Sequence, residues 1–304
     1  MQTLRILIFV NLCLIILSIR LGKNKSKEIS SNKKNLMRYF NLNWHTSNFM
    51  GATDIGIGSE GHAYVVGLDG KLYSHDFLLN TYTLVGGNTK IPPINRVDVD
   101  TDGIPYVVCA TGETYYLDCN NNWIQLSGCA RDIGVGRGGE VWKVGCDNRK
   151  GGFGIWKLFC SCNCDCGCER KCLKYKQMNY ISNIQTIKQS KCYWYRIEGG
   201  ASRIDVNPEG NPWVVTDIGD VFGYDGVNWH YVKGVLGRDI TVSNENMTFV
   251  VGLNKSIYAL KNTKDITWTE ISGAGLEISA GPLSQPWIVG SENKIYDLSK
   301  RGYN

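Results

Sequence analysis

The sequence has few histidines and lacks the common motifs from which enzymes build metal or nucleophilic sites. It contains only four histidines among 304 residues, and none of them stands in a metal-binding motif. It has no glycine-rich phosphate loop and no serine nucleophile elbow. No pair of acids stands apart from the rest in the manner of a glycoside hydrolase. We therefore expect no enzymatic activity, no cofactor and no metal.

An excess of positive charge is also missing from the main part of the chain. Eight of the 33 Lys and Arg, but only one of the 28 acids, lie in residues 1–38, which leaves 25 bases and 27 acids in residues 39–304. A surface that binds phosphate backbones needs clustered bases. We therefore expect no nucleic-acid partner.

An apolar run near the N-terminus is short for a membrane-spanning helix. It covers 14 residues, 6–19, and follows Arg5. This pattern predicts a signal peptide over residues 1–22, and hence a secreted or extracellular protein. The exit at Ile19-Arg20-Leu21-Gly22 lacks the small residues of a usual cleavage site, so an uncleaved membrane anchor is the alternative. Membrane contact is expected only through this segment.

Residues 23–43 predict a flexible basic linker, because six Lys and Arg lie there among Ser and Asn. A patch for acidic surfaces is the functional alternative. Three glycosylation sequons are compatible with the secretory pathway. They begin at Asn24, Asn246 and Asn254.

The chain is instead rich in glycine and aromatic residues, and these follow a repeat. Aliphatic residues recur two positions apart in six short runs, as the alternation of a strand requires. The runs are Ile55 and Ile57, Val97 and Val99, Ile133 and Val135, Ile204 and Val206, Ile240 and Val242, and Ile278 and Ala280. Each run precedes a turn, a second strand with one aromatic residue and a third strand with another.

A fourth strand of each unit begins with an aromatic residue. These residues are Trp44, Tyr82, Trp123, Trp194, Trp229 and Trp268, with spacings of 38, 41, 71, 35 and 39 residues. Four short strands per period of about 40 residues are typical of a propeller blade. The sequence therefore predicts an all-β, six-bladed propeller of four-stranded antiparallel blades over residues 44–304.

The two ends of this repeat indicate how the ring closes. The last unit stops after its third strand, at Ile295-Tyr296-Asp297, and no Trp strand follows it. A spare fourth strand stands at Trp44. We expect the Trp44 strand to complete the last blade, which removes the open edges of the ring.

The repeat resembles the tectonin repeat. The segment from Trp123 to Val144 carries the full pattern, and Asp54-Ile-Gly-Ile-Gly-Ser-Glu-Gly repeats part of it. Tyr82 in place of Trp, and Phe249 in place of Trp, are departures. The resemblance covers residues 44–300 and implies a six-bladed lectin propeller, like tachylectin and the fish-egg lectins, that recognises carbohydrate, commonly on microbial surfaces.

This resemblance implies a lectin-like, non-catalytic module whose partners are glycans or glycoproteins. Sugars stack on aromatic rings, and repeated weak sites give avidity toward repetitive surface glycans. The candidate binding residues are the second-strand aromatics and one turn acid, namely Tyr64, Tyr106, Trp142, Trp213, Phe249, Trp287 and Asp102. The alternative for each aromatic is a place in the core between blades. The alternative function is an extracellular or cell-surface scaffold that docks other proteins.

Charged residues occupy one common position of the inner strands. They are Asp54, Arg96, Asp132, Arg203, Asp239 and Glu277. Inward charges without partners are costly, so pairing between neighbouring blades is expected. A polar channel for a small anion or an acidic sugar is the alternative.

An insertion at 159–193, within blade three, enlarges one interval of the repeat and holds seven cysteines. With Cys13 removed in the signal peptide, eleven cysteines remain as disulfide candidates: Cys109, Cys119, Cys129, Cys146, Cys160, Cys162, Cys164, Cys166, Cys168, Cys172 and Cys192. In a secreted protein they predict a disulfide-stapled loop, and a thiolate metal cluster is the rival in a reducing compartment. Because eleven is odd, at least one cysteine is free or bonds a covalent partner.

Overall fold

The computed structural model describes residues 43–299 except 78, 87–89, 119, 161–191 and 263–265. These residues form six antiparallel sheets of four strands, arranged as a ring of blades. The one helical element in this part of the chain is a 3₁₀ turn at Pro282–Ser284. The predicted all-β, six-bladed propeller is confirmed.

The 24 strands, numbered in chain order, begin with β1, Asn43–Thr46, which belongs to the last blade. Blade 1 consists of β2 Ala52–Ile57, β3 Ala63–Gly67, β4 Leu72–Asp76 and β5 Thr81–Val85. Blade 2 consists of β6 Ile94–Val99, β7 Pro105–Cys109, β8 Glu113–Leu117 and β9 Trp123–Cys129. Blade 3 consists of β10 Asp132–Val135, β11 Val141–Arg149, β12 Gly152–Cys160 and β13 Cys192–Ala201.

The other three blades repeat this order. Blade 4 consists of β14 Arg203–Val206, β15 Pro212–Val215, β16 Val221–Tyr224 and β17 Trp229–Tyr231. Blade 5 consists of β18 Gly237–Val242, β19 Thr248–Gly252, β20 Ser256–Asn262 and β21 Thr267–Ala274. Blade 6 consists of β22 Glu277–Ala280, β23 Pro286–Val289, β24 Ile295–Ser299 and the N-terminal β1.

Strand β1 closes the ring as predicted. It pairs antiparallel with β24, with Trp44 opposite Leu298. The Trp44 indole N–H also donates to the Ser272 carbonyl of blade 5. Residues from the two ends of the propeller thus share one sheet, and β1 covers the edge that β24 would otherwise expose.

The antiparallel order gives the ring two different faces. The links between blades and the turns between second and third strands lie on one face, which we call the upper face. The turns between first and second strands, and the connections between third and fourth strands, lie on the lower face. Asn43 pairs with Ser299 at the lower end of β24, so the chain enters the propeller from the lower face.

Six apolar clusters hold the blades together, and each lies between two neighbouring blades. Successive side chains of a strand point to opposite sides. Ile55 and Ile57 therefore pack toward Trp287 of blade 6, while Val66 of the next strand packs toward Val97 of blade 2. Each blade buries both of its surfaces in this way, which an isolated blade could not do.

A ring of hydrogen bonds joins the inner strands. At every blade boundary a side-chain oxygen accepts a hydrogen bond from a backbone N–H of the next inner strand, with N–O distances of 2.5–3.0 Å. The pairs are Asp54 with Val97, Asp98 with Val135, Asp132 with Ile204, Asp205 with Val242, Asp239 with Ile278, and Ser279 with Ile57. The strands approach so closely that a Cβ on Gly56 would lie 2.7 Å from the Val97 carbonyl oxygen.

Two disulfides are present among the described cysteines. Cys129–Cys146 joins blade 2 to blade 3, and Cys160–Cys192 joins the ends of β12 and β13 where the insertion begins. Such bonds are characteristic of an oxidising environment. Cys109 is a free thiol and is buried. The predictions for Cys119, Cys162, Cys164, Cys166, Cys168 and Cys172 fall outside the described residues.

The described part of the chain includes no helix long and apolar enough to cross a membrane. The predicted signal peptide, the Asn24 sequon and all of the predicted 23–43 linker except Asn43 lie outside it.

Candidate functional site

The second-strand aromatics, predicted as glycan contacts, lie mainly in the cores between blades. Trp142 is 1% exposed and Phe249 is 0% exposed, and Tyr106 and Trp287 are also buried. The Trp142 indole N–H donates over 3.2 Å to the carbonyl of Gly210, in a turn of blade 4. The prediction differs from the structure here because these rings point sideways into the next blade, not outward past the turn.

The other two second-strand aromatics are only partly buried. Tyr64 donates its hydroxyl to the Gly103 carbonyl of blade 2 over 2.9 Å, in the same way as Trp142 contacts blade 4. Trp213 packs against the core between blades 4 and 5. Asp102 is exposed, but it lies in a turn of the lower face. The structure therefore does not bring the predicted glycan contacts together.

A deep cleft opens on the upper face between blades 3 and 4. We call it the aromatic cleft. It has a volume of about 600 Å³, and its apolar wall is formed by Ile155, Val214, Phe222 and Trp229. Phe222 and Trp229 are partly exposed. Phe222 lies in the third strand of blade 4 and Trp229 in the fourth. The sequence analysis chose only second-strand aromatics as binding candidates, so it did not include these two rings.

The position of Trp229 follows from the glycines of blade 3. Its indole N–H donates over 2.7 Å to the Glu198 carbonyl on the outer strand of blade 3. Gly199 has a φ of +133°, and a Cβ there would lie 3.2 Å from the Trp229 indole nitrogen. Glycine at this position thus lets the ring lie against the neighbouring backbone, at the side of the cleft.

Polar groups surround this apolar wall. The rim is formed by two turns, one in each blade, and includes Arg149, Lys150, Thr216, Asp217 and Asp220. Asp217 is exposed, and its backbone N–H is fixed by the Gly151 carbonyl over 3.1 Å. The cleft therefore combines exposed aromatic surface with carboxylate, hydroxyl and cationic groups.

The six inner-strand charges meet at the axis of the ring. Arg96 lies 2.7 Å from Glu277 and 3.3 Å from Asp54, so one guanidinium bridges blades 1, 2 and 6. Arg203 lies 3.5 Å from Asp239 and 3.7 Å from Glu277. These contacts correspond to the charge pairing that the sequence predicts between blades.

A second polar layer lies two residues further along the inner strands, toward the lower face. It contains Asp98, Asp205, Thr241 and Ser279, which are not among the residues predicted from the sequence. The sequence does contain a sign of this second layer, because Arg96 and Asp98 flank Val97, as Arg203 and Asp205 flank Ile204. The prediction compared only one position of each inner strand and therefore did not include Asp98 and Asp205.

The axis acids are held in an environment that favours their neutral form. Burial raises the pKa of Asp54 to about 7, against the opposing effect of Arg96. Burial also raises the pKa of Asp205, to about 6, and that of Asp98, which faces the charge of Asp205. The pKa of Asp239 rises for the same reason, with Glu277 adding to the effect. A proton on any of these four carboxyl groups lowers the excess of negative charge around Arg96 and Arg203.

The comparison with protein families supports the assignment of the fold. Residues 176–303 match the family model of the Tectonin domain, and the ring has the six blades expected of such repeats. The matched segment and the six-bladed ring together fit a tectonin-repeat propeller. No curated protein matches its sequence.

Solved structures of other proteins share the architecture of this propeller. A gluconolactonase from Xanthomonas campestris superposes with a TM-score of 0.58 at 12% identity, over 84% of this chain and 89% of that chain. An inactive virginiamycin B lyase from Staphylococcus aureus, solved with quinupristin, gives 0.53 at 12% identity, over 86% and 89%. A streptogramin B lyase gives 0.52 at 12% identity, over 86% and 98%. At such identity the likeness concerns the fold alone.

Turns of the lower face contact one another across blades. Ser59 donates to Thr101 over 2.9 Å, and Thr101 donates to the Arg137 carbonyl of blade 3. Asn244 of blade 5 donates to the Ser59 carbonyl of blade 1. Within the described residues, no group of three or more His, Cys, Asp or Glu is arranged to hold a metal ion. The space lined by these turns at the lower end of the axis is only about 20 Å³.

The two described sequons lie in exposed turns on opposite faces. Asn246 is in a lower-face turn, where its amide donates over 2.7 Å to Glu209. Asn254 is in an upper-face turn, and its amide donates over 2.8 Å to the Tyr258 hydroxyl. Their use as glycosylation sites remains a prediction.

Proposed function

We propose that this tectonin-repeat propeller is a non-catalytic carbohydrate-binding module, and that the aromatic cleft is its main sugar-binding site. The observation that supports the proposal is the presence of Phe222 and Trp229 in one cleft of about 600 Å³ with acidic and hydroxyl groups on its rim. This volume falls within the range of small-ligand sites. The tectonin domain and the propeller fold support either a lectin-like or a protein-interaction role.

The chemistry of the cleft suits a sugar ring. The apolar face of a sugar stacks on an aromatic ring, and Trp offers the largest such surface. Carboxylates such as Asp217 and Asp220 accept hydrogen bonds from sugar hydroxyls, and Arg149 and Lys150 donate to ring and glycosidic oxygens. Surface glycans are the proposed ligand class, because their repeating units let a weak site rebind.

The test compares two tryptophans that make the same structural contact. Trp229 donates to the outer strand of blade 3 over 2.7 Å, and Trp268 donates to the carbonyl of Lys233, just after the outer strand of blade 4, over 3.0 Å. Only Trp229 is among the residues of the aromatic cleft. We expect Trp229→Ala to weaken binding of the best glycan from an array by at least about tenfold, the loss of one stacking ring. Trp268→Ala should bind as the wild type does.

Asp217→Asn gives a second measure, because Asp217 is exposed and its replacement leaves the blade contacts in place. It should weaken glycan binding without changing the melting temperature. Glycan binding that survives both Trp229→Ala and Asp217→Asn would contradict the aromatic cleft as the site. If no glycan class binds the folded protein, the scaffold alternative is favoured.

We also propose that the protein is exported and acts outside the cell. The two disulfides support this, since such bonds persist in oxidising compartments. A covalent partner is not expected at Cys109, because the thiol is 2% exposed and burial raises its pKa to about 12. Expression in a secreting eukaryotic host tests export: the protein should appear in the medium, with a mass that falls on enzymatic removal of N-glycans if Asn246 or Asn254 is used.

A further inference from the structure

A second cleft lies on the upper face between blades 2 and 3, apart from the aromatic cleft. We call it the arginine cleft, and its volume is about 450 Å³. Three guanidinium groups line it, those of Arg96, Arg131 and Arg203. No acidic side chain is among the described residues that line it. Such a concentration of arginine at one opening is suited to an anionic ligand.

Arg131 stands at the outer side of this cleft. Its guanidinium stacks on the Phe153 ring, 3.8 Å from the ring centroid, and its side chain is exposed. The Arg131 backbone is fixed by its N–H, which donates to the Val144 carbonyl over 2.8 Å. Within the described residues, Arg131 makes no ion pair, so its planar N–H groups are held in place and open to a ligand.

Arg203 approaches the same cleft from the axis. Its contacts with Asp239 and Glu277 are long, at 3.5 and 3.7 Å, and one amino group donates to the Ser202 carbonyl over 3.2 Å. Its ε nitrogen is buried without a hydrogen-bond partner. Because this ε nitrogen faces Asp239 and Glu277, the amino groups of Arg203 are the donors that a ligand at the inner end of the cleft could reach.

The acids of the axis do not line the arginine cleft. Asp54, Asp132 and Asp239 line a separate space of about 30 Å³ in the channel. Arg96 and Arg203 lie at the boundary, since they line the arginine cleft and contact these acids. A ligand that enters from the upper face therefore meets guanidinium groups before it meets carboxylates.

We propose that the arginine cleft binds a carboxylated sugar, with its carboxylate on Arg131 and Arg203. A carboxylate matches the two parallel N–H groups of a guanidinium and forms short, charge-assisted hydrogen bonds with it. The cleft has room for more than a bare inorganic ion, and Asn95, Thr111 and Ser202 supply polar groups for hydroxyls. This site differs from the aromatic cleft in position and in ligand charge, so either one can fail alone.

The experiment uses titration calorimetry on the full propeller with D-glucuronate, D-glucose and acetate as separate probes. Arg131→Gln is compared with Arg238→Gln. Arg238 is the matched control, since it is exposed, directly precedes the axis acid Asp239 as Arg131 precedes Asp132, and does not line the cleft. We expect glucuronate to bind more tightly than acetate and Arg131→Gln to weaken it at least fivefold, with Arg238→Gln unchanged. Trp229→Ala should leave glucuronate binding intact.

Three results would overturn the proposal. The first is the absence of glucuronate binding. The second is equal affinity for glucuronate and acetate, which identifies a site for small anions only. The third is equal weakening by Arg131→Gln and Arg238→Gln, which identifies a general effect of surface charge. Since Arg131 is exposed, its replacement should not alter folding, and a melting curve checks this.

Discussion

At the scale of single residues, the axis acids make stability depend on pH in an unusual direction. Burial raises the folded-state pKa of Asp54 from 3.8 to about 7 and that of Asp205 to about 6. Between the two values such an acid stays protonated in the folded state but ionises in the unfolded state, so a rise in pH favours unfolding. The stability due to these groups is therefore greatest below about pH 4 and falls as the pH rises to about 7.

We accordingly expect the free energy of unfolding to be higher at pH 5 than at pH 7.5, by about 1 kcal/mol or more, since one pKa unit corresponds to about 1.4 kcal/mol. Denaturant unfolding at both pH values measures it. Asp54→Asn should reduce the difference, because Asn keeps a hydrogen-bond acceptor for Val97 but does not titrate. Asp102→Asn, at an exposed turn, is the control. A stability that rises between pH 5 and 7.5 would contradict this origin.

A single glycine also fixes the closing blade. Gly273 has a φ of +121°, and a Cβ there would lie 2.5 Å from the indole nitrogen of Trp44. Gly273→Ala should therefore destabilise the ring by about 1–3 kcal/mol, the usual cost of such strain, and lower the melting temperature by several degrees. Gly86→Ala is the control, because a Cβ at Gly86 would have no atom within 4 Å. Equal melting temperatures for the two variants would show that Trp44 can move aside without cost.

At the scale of secondary-structure elements, β1 decides whether the ring stays closed. A chain that begins at residue 39 keeps β1, whereas a chain that begins at residue 48 exposes the edge of β24. We expect the first to melt like the full-length chain and the second to lose stability and aggregate, because an unpaired edge strand recruits other chains. Scanning calorimetry and size-exclusion chromatography distinguish them. A monomeric, equally stable chain without β1 would show that closure is dispensable.

The hairpin of β12 and β13 is complete without the cysteine-rich insertion. The two strands pair from Phe153 opposite Ala201 to Cys160 opposite Cys192, and a disulfide joins the last pair. Replacement of residues 161–191 with Asn-Gly, a favoured two-residue hairpin turn, should leave the melting temperature within about 3 °C and glycan binding unchanged. A loss of cooperative melting would show that the insertion supports the blade.

The predictability of these elements has a physical limit. The strands, the blade count and the closing strand could be predicted from residues that recur in register. Each unit has an aliphatic pair in its first strand and one aromatic residue in each of the others. The exposure of those aromatics could not. Alternation shows on which side of a strand a ring lies, but the neighbouring blade decides whether that side is covered, as for Trp142, or opens into a cleft, as for Trp229. The same holds for Asp98, whose role depends on the strand beside it.

At the scale of the whole molecule, the propeller is asymmetric between its faces. The aromatic and arginine clefts open on the upper face. The chain enters at Asn43 on the lower face, and the Cys160–Cys192 pair marks the insertion on that face as well. The start of β1 and the two ends of the insertion, at Cys160 and Cys192, are therefore separated from the proposed binding sites by the depth of the ring.

The entry of β1 at the lower face determines how the protein can be attached to a support. A tether placed ahead of Asn43, whether a membrane segment or a biotin on a sensor chip, holds the ring from below and leaves both clefts directed toward the solution. Coupling through Lys150, at the rim of the aromatic cleft, would instead turn that opening toward the support. An N-terminal anchor and glycan capture are thus geometrically compatible in one molecule.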